Sequence, residues 1–226
     1  MPEPVKGEGT PVSDRPVLWI LGGGGHGLVV ADAARASARF DAIVFFDDAA
    51  ERGSQRGAWP VLGGSGDFAR EVPPHVQRIV AVGDNARRDQ LLQACLERGA
   101  RVATVVHPAA SVSPGARLGP GSFVAAGAVL AIGAEVGAGG IINHGASVDH
   151  ECVLGRAVHV SPGARLGGGV RVGDRSWVGI GAAVRHAVTI GADVVVGAGA
   201  VVVADVSDNM RLVGNPARPL PPQRHA

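Results

Sequence analysis

From Val112 onward an aliphatic residue returns at every sixth position, through Leu118, Val124, Leu130 and so on to Val202. Sixteen consecutive positions keep this spacing without an insertion. A period of six is not the 3.6 of a helix, and a stretch this rich in Gly and Val would make a poor helix. Two residues before each aliphatic stands a small side chain, such as Ala116, Ser122, Ala128, Ala146, Cys152 or Ala164. Side chains two apart on a strand share a face. Each repeat therefore offers one short strand with two inward residues, and stacked hexapeptides imply a parallel β-helix with three strands and 18 residues per coil.

Taking every eighteenth residue sorts the outward strand positions into three faces. The first reads Phe123, Ile141, His159, Trp177, Val195; the second Arg117, Glu135, Val153, Arg171, Thr189; the third Val129, Ser147, Arg165, Ala183, Val201. The first is apolar apart from one histidine. Such a stripe on a rigid prism marks an interface, so a homo-oligomer is expected, most simply a homotrimer with His159 in the seam. Glycines that follow the aliphatics, as at 119, 137, 155 and 173, are expected to turn the corners, because Gly adopts the needed backbone angles without a side-chain penalty. The narrow interior accounts for a chain with 35 Gly but only five Phe, three Trp and no Tyr.

The stretch before the repeat alternates strands and helices. Val17–Leu21, Ile43–Phe46, Ile79–Val82 and Val102–Val106 read as strands, with helices from about His26 to Ala38 and from the Gly83-Asp84-Asn85 cap to about Arg98. This pattern predicts a parallel sheet, the mononucleotide-binding half of a doubly wound fold. The loop Gly22-Gly23-Gly24-Gly25-His26-Gly27 follows a strand and opens a helix, where backbone amides and the helix N-terminus can hold a phosphate. Asp47 and Asp48 end the next strand, twenty residues on, where an acidic side chain can accept from a ribose hydroxyl. A tight strand-to-helix turn and a solvated strand end are the plainer readings of the same residues. Lacking the second half of the fold, the unit suits a nucleotide or nucleotide sugar better than a redox dinucleotide.

The domain organisation expected is a loose tail over 1–15, a Rossmann-like unit over 16–108, a β-helix over 109–207, and a C-terminal cap and tail over 208–226. A net charge of +1 gives no basic field for a nucleic acid backbone. No apolar run reaches the roughly 20 residues needed to span a bilayer. Two cysteines make no disulfide framework, and the first residues lack the apolar core of a signal peptide. A cytoplasmic protein is expected.

Three histidines cluster where the repeat loses its glycines: Asn143-His144, then Asp149-His150-Glu151, then His159. Sites commonly sit where a regular pattern breaks. His150 falls at the corner between the faces of Ser147 and Val153, whereas His159 lies mid-face. Within one chain they stand across the section from each other, so they meet only across subunits. Gly168 and His186 follow His150 at steps of 18. A glycine there leaves a groove for a long thin ligand, and His186 is either a contact of that ligand or plain surface.

The chain resembles the bacterial sugar acyltransferases of the sialic acid O-acetyltransferase type, which include N-acetyltransferases of nucleotide-linked 4-amino sugars. The resemblance rests on the GGGGHG loop, the FFDD strand end, the VGDN turn, the HP entry to the repeat, NHGASVDHECVLG, AVHVSPGA and the closing VGNPAR. It implies a left-handed β-helix, acetyl-CoA as cosubstrate with no metal, and a trimer with sites at the seams. It further implies that His150 is the general base, with Glu151 orienting it and Asn143 near the acceptor amine. His159 then lies near the acetyl thioester, and Gly24, Gly25, His26, Asp47 and Asp48 hold the acceptor's nucleotide. His144 replaces a Thr of some members and receives no role. Other readings are O-acetylation of a sialic acid, a zinc hydratase of the γ-carbonic anhydrase kind using His144, His150 and His159, and a scaffold without catalysis.

Overall fold

The computed structural model describes residues 15–220. Of the expected tail, residues 1–14 lie outside the described residues, as do 221–226 at the other end; Arg15 is described and pairs with Asp41 at 3.1 Å. The N-terminal unit runs β1 (Val17–Leu21), α1 (Gly25–Ala36), β2 (Ala42–Phe46), β3 (Gln55–Arg56), β4 (Trp59–Gly63), α2 (Ser65–Phe68), β5 (Val76–Val80) and α3 (Asn85–Glu97). The sheet order is β3-β4-β2-β1-β5. β1 lies parallel between β2 and β5, and β3 and β4 form an antiparallel hairpin. The chain therefore leaves β1 toward β2 on one side and later adds β5 on the other, which makes the carboxyl end of β1 the topological switch point.

Three differences from the sequence expectations have local causes. β5 starts at Val76, three residues early, because it pairs along the whole of β1 from Val17 onward. The hairpin β3–β4 and helix α2 were not anticipated, since a two-residue strand and a four-residue helix leave no periodicity to read. The run Val102–Val106 is not a fourth strand of this sheet. Val102 makes a single bridge to Arg78, and the chain then crosses over, so that β6 (Val105–Val106) pairs with Phe123–Val124 of the first solenoid face.

The repeat forms a left-handed parallel β-helix of two-residue strands. The pairing reproduces the three faces: Phe123↔Ile141↔His159↔Trp177↔Val195, Arg117↔Glu135↔Val153↔Arg171↔Thr189 and Val129↔Ser147↔Arg165↔Ala183↔Val201. One aliphatic and one small residue per repeat fill the interior, as with Ala128 and Leu130 or Ala164 and Leu166, all buried.

The glycines at 119, 137, 155 and 173 do not make the corner. A Cβ on Gly119 or Gly173 would run into the backbone of the next coil, so these positions are small because adjacent coils touch there. The left-handed corner comes two residues later, at Gly121, Gly127, Gly133, Gly139 and Gly145, with φ between 62° and 75°. Glu151, Ala157, Arg175, Ala187 and Asp193 occupy the same slot with φ from 51° to 59°.

The apolar stripe is also corrected. Phe123 and Ile141 are each 1% exposed because the chain's own N-terminal unit covers them, in one cluster with Leu18, Ile20, Phe45 and Ile79. Burying two such side chains contributes roughly 1.5–3 kcal/mol each to holding the units together. Only the upper part of the stripe, Trp177 and Val195, is exposed.

Candidate functional site

The Gly-rich loop is shaped by close approach. Gly22 has φ +105° and packs against Ala81 and Val82 at the end of β5, and a side chain on Gly27 would overlap the Gly22 carbonyl. Gly24 is the N-cap of α1 and supplies no side-chain cap. Gly24 and Gly25 face open space. The first N–H groups of α1 thus point out at the switch point, where an anion would be bound by amides and helix dipole together.

Asp47 and Asp48 are both engaged with backbone. Asp47 accepts from Gly23 N–H at 2.7 Å through Oδ2 and from Ala49 N–H at 2.8 Å through Oδ1. Asp48 Oδ1 accepts from Ser65 N–H at 2.6 Å at the start of α2, and this bond lowers its pKa. Asp47 therefore holds the loop in shape, and Asp48 orders α2. Each oxygen has a further lone pair, so neither is lost to a ribose hydroxyl.

His26 brings the loop to the solenoid. Its ring meets Phe123 edge-on at 5.4 Å. Burial, then the charge of Arg88 and the neighbouring His159 and His144, push its pKa down to about 3. His159 is 8% exposed and stacks on Trp177 at 4.8 Å. Burial and then Arg88 push it down to about 4. Both imidazoles are neutral at pH 7.

The tautomer of His159 follows from its neighbours. Asn143 Oδ1 accepts from the His144 backbone N–H at 2.9 Å, which turns Asn143 Nδ2 toward His159 Nε2 at 3.1 Å. Nε2 is then the acceptor and the proton sits on Nδ1. That Nδ1 is buried without a hydrogen-bond partner. A buried N–H left unpaired costs about 1–3 kcal/mol, the kind of cost found where a site is kept ready for something else.

His150 stands apart from this group. The strand Ser147–Val148 lies between the Asn143 corner and the His150 corner. Asp149 Oδ1 accepts from the His150 backbone N–H at 2.7 Å, and Glu151 Oε2 lies 3.5 Å from His150 Nδ1. Both side chains are largely exposed. The imidazole lies over Gly168, where a Cβ would overlap it. Beside this corner a groove of about 430 Å³ runs along the third face, lined by Val129, Ser147, Asp149, Arg165, Gly167 and Ala183. His186 is exposed, two coils above His150. Among the described residues no three His, Cys, Asp or Glu side chains are grouped to hold a metal ion, and no helix is long and apolar enough to cross a membrane.

The structure therefore gathers His26, Asn143, His144 and His159 at the mouth of the crevice and places His150, Glu151 and Gly168 on another corner. Sequence reasoning missed Arg88, the charged residue that acts on both buried histidines. It was hidden as one more arginine on a polar helix.

A nucleotide-type half-fold docked on a left-handed β-helix, with a histidine corner beside a groove, defines a hexapeptide-repeat acyltransferase. Residues 17–95 match the PglD N-terminal domain, and residues 169–204 match the bacterial transferase hexapeptide repeat. The acetyltransferase domain of PglB from Neisseria gonorrhoeae FA1090 is 41% identical over 91% of this chain and 100% of that one, with a TM-score of 0.88. PerB from Caulobacter crescentus, solved with CoA and GDP-perosamine, is 40% identical over 90% of this chain and 97% of that one, with a TM-score of 0.82. WeeI from Acinetobacter baumannii AYE is 25% identical over 90% and 99%, with a TM-score of 0.78. Among curated protein sequences no match is found. The chain belongs to the hexapeptide-repeat sugar acetyltransferases that carry a PglD-type N-terminal domain.

Proposed function

We propose that this protein is an acetyl-CoA-dependent N-acetyltransferase acting on the 4-amino group of a nucleotide-linked amino-dideoxy sugar. The observation that carries the reading is the docking of an open, glycine-walled crevice onto the coil face of Asn143 and His159, through His26 against Phe123. A nucleotide held by the Gly24–Gly25 amides has its sugar directed at that face. Solved relatives include one with acetyl coenzyme A and one with CoA and GDP-perosamine.

His150 is the general base. An amine attacking a thioester carbonyl must lose a proton, and an imidazole accepts it near pH 7. Glu151, 3.5 Å from Nδ1, orients the ring and leaves Nε2 to take the proton. The groove beside the His150 corner, with Asp149 and Gly167 in its wall, fits a long thin ligand such as the pantetheine arm. Because His150 lies on a different corner of the prism from Asn143 and away from the face of His159, the site is completed by a neighbouring subunit. The exposed Trp177 and Val195 extend the contact surface, and a homotrimer closes it with one kind of interface. The unpaired cysteines, Cys95 and Cys152, suit a reducing cytoplasm.

A sugar hydroxyl is the second acceptor class, and the nucleotide crevice favours the nucleotide-linked amine over a free sialic acid. A panel of UDP-, GDP- and dTDP-4-amino sugars and free sialic acids, assayed with acetyl-CoA by thiol release, tests this. Turnover of one nucleotide amino sugar is expected; release with sialic acids alone would replace the reading with O-acetylation.

A further inference from the structure

Helix α3 meets the solenoid along a single column of corners. Gly121, Gly139, Ala157 and Arg175 follow one another at steps of 18 residues, all with left-handed backbone. Coils stack about 4.8 Å apart, and a helix rises about 5.4 Å per turn. Successive turns of α3 therefore face successive corners. Leu92 sits over Gly121 and Gly139, where a Cβ would come within 3.0 and 2.8 Å of its methyl carbons. One turn up, Arg88 Nε donates to the Gly139 carbonyl at 2.9 Å and Nη2 to that of Ala157 at 2.8 Å. At the start of the helix, Asn85 Nδ2 donates to the Arg175 carbonyl at 2.8 Å.

Arg88 joins three parts of the molecule. It is 1% exposed. Besides the two coil corners, its Nη1 donates to the carbonyls of Val82 and Gly83 at 2.9 and 3.2 Å, and Nη2 to Asn85 Oδ1 at 2.7 Å. All five guanidinium hydrogens are thus used, each on a neutral oxygen. No donor is left for a ligand, so Arg88 acts only through what it holds. It holds the Val82–Gly83 loop, which packs on Gly22 across the switch point, to two fixed points on the β-helix.

We propose that Arg88 is a positioning residue that sets the height of the nucleotide crevice on the solenoid, so that the crevice opens over Asn143 and His159 and not over the coil above or below. The corner column fixes this register. Leu92 fits over glycine corners, and a slip by one coil would set it against the Cβ of Ala157. The proposal rests on the crevice being the acceptor site.

The test compares Arg88→Met and Arg88→Lys with the unaltered protein in two measurements: KM for the accepted nucleotide amino sugar and for acetyl-CoA, and hydrogen exchange of amides 82–97. Arg88→Met is expected to raise the acceptor KM about tenfold or more while leaving the acetyl-CoA KM within about twofold, and to speed exchange over 82–97. Arg88→Lys, with three donors in place of five, should fall between. Asn85→Ala, which removes the bond to the Arg175 corner and one of the five acceptors of Arg88 while keeping the other four, should shift both readouts in the same direction by less, and serves where the Met variant does not fold. A folded Arg88→Met with unchanged acceptor KM, or with exchange over 82–97 unchanged, overturns the proposal. Absence of turnover in the unaltered protein would instead refute the acceptor reading, and the exchange data would still decide whether Arg88 holds the register.

Discussion

The imidazole of His150 rests on the bare backbone of Gly168, the residue one coil above it, with no room for a methyl group between them. Gly168 does not need to be glycine for its own backbone, because its φ is not in the left-handed region, unlike that of Gly169. Gly168→Ala should therefore fold with little change in Tm but push the ring off its place beside Glu151. With His150 as the proposed base, turnover should fall about tenfold or more, because displacing a catalytic group by an ångström is costly. Activity and thermal denaturation on the same preparation check this.

Asp47 shapes the Gly-rich loop through two backbone bonds, to Gly23 and Ala49. Bonds to a charged acceptor contribute about 1.5–3 kcal/mol each. Asp47→Ala should loosen the loop and raise the acceptor KM by about tenfold or more, with acetyl-CoA binding unchanged. Steady-state kinetics with each substrate varied in turn separates the two.

Acid should destabilise the protein earlier than its carboxylates require. His159 has a folded pKa of about 4, well below the ordinary 6.5. The unfolded chain takes up its proton as pH falls through 6.5, while the folded one resists until about 4. Stability is therefore fully present above 6.5 and declines across the 6.5-to-4 window, by roughly 3 kcal/mol for this group. His26, held at about 3, acts in the same direction. Tm measured from pH 7.5 to 4.5 should fall, and more gently in His159→Gln.

Subunit complementation tests the proposal that the site is shared between subunits. His150→Ala and Asn143→Ala should each be nearly inactive alone, because each spoils every interface. After mixing, dissociation and reassembly, about a quarter of the interfaces would pair an intact His150 with an intact Asn143. Activity should return to that level in the mixture. No recovery, with mixed assemblies shown by mass, would place all catalytic groups in one chain.

The solenoid could be read from the sequence residue by residue, because a period of six repeated three times per coil leaves one register that buries every aliphatic. The Gly-rich loop was legible for a similar reason, as Gly22 and Gly27 are demanded by backbone contact. What covers an outward face was not legible. Phe123 and Ile141 carry the same apolar signal as Trp177, and only the crossing of the chain at Val102–Val105 shows that the first two are closed by the N-terminal unit. Arg88 was hidden because a basic residue on a polar helix reads as solvated. The spacing of Asn85, Arg88 and Leu92, at i, i+3 and i+7 on one helix face, was the available signal.

The most direct test of the account is the turnover of His150→Ala with acetyl-CoA and the accepted nucleotide amino sugar. The account predicts a loss of about 10²-fold or more, with acetyl-CoA still bound in calorimetry. Turnover within a few-fold of the unaltered protein would contradict His150 as the base.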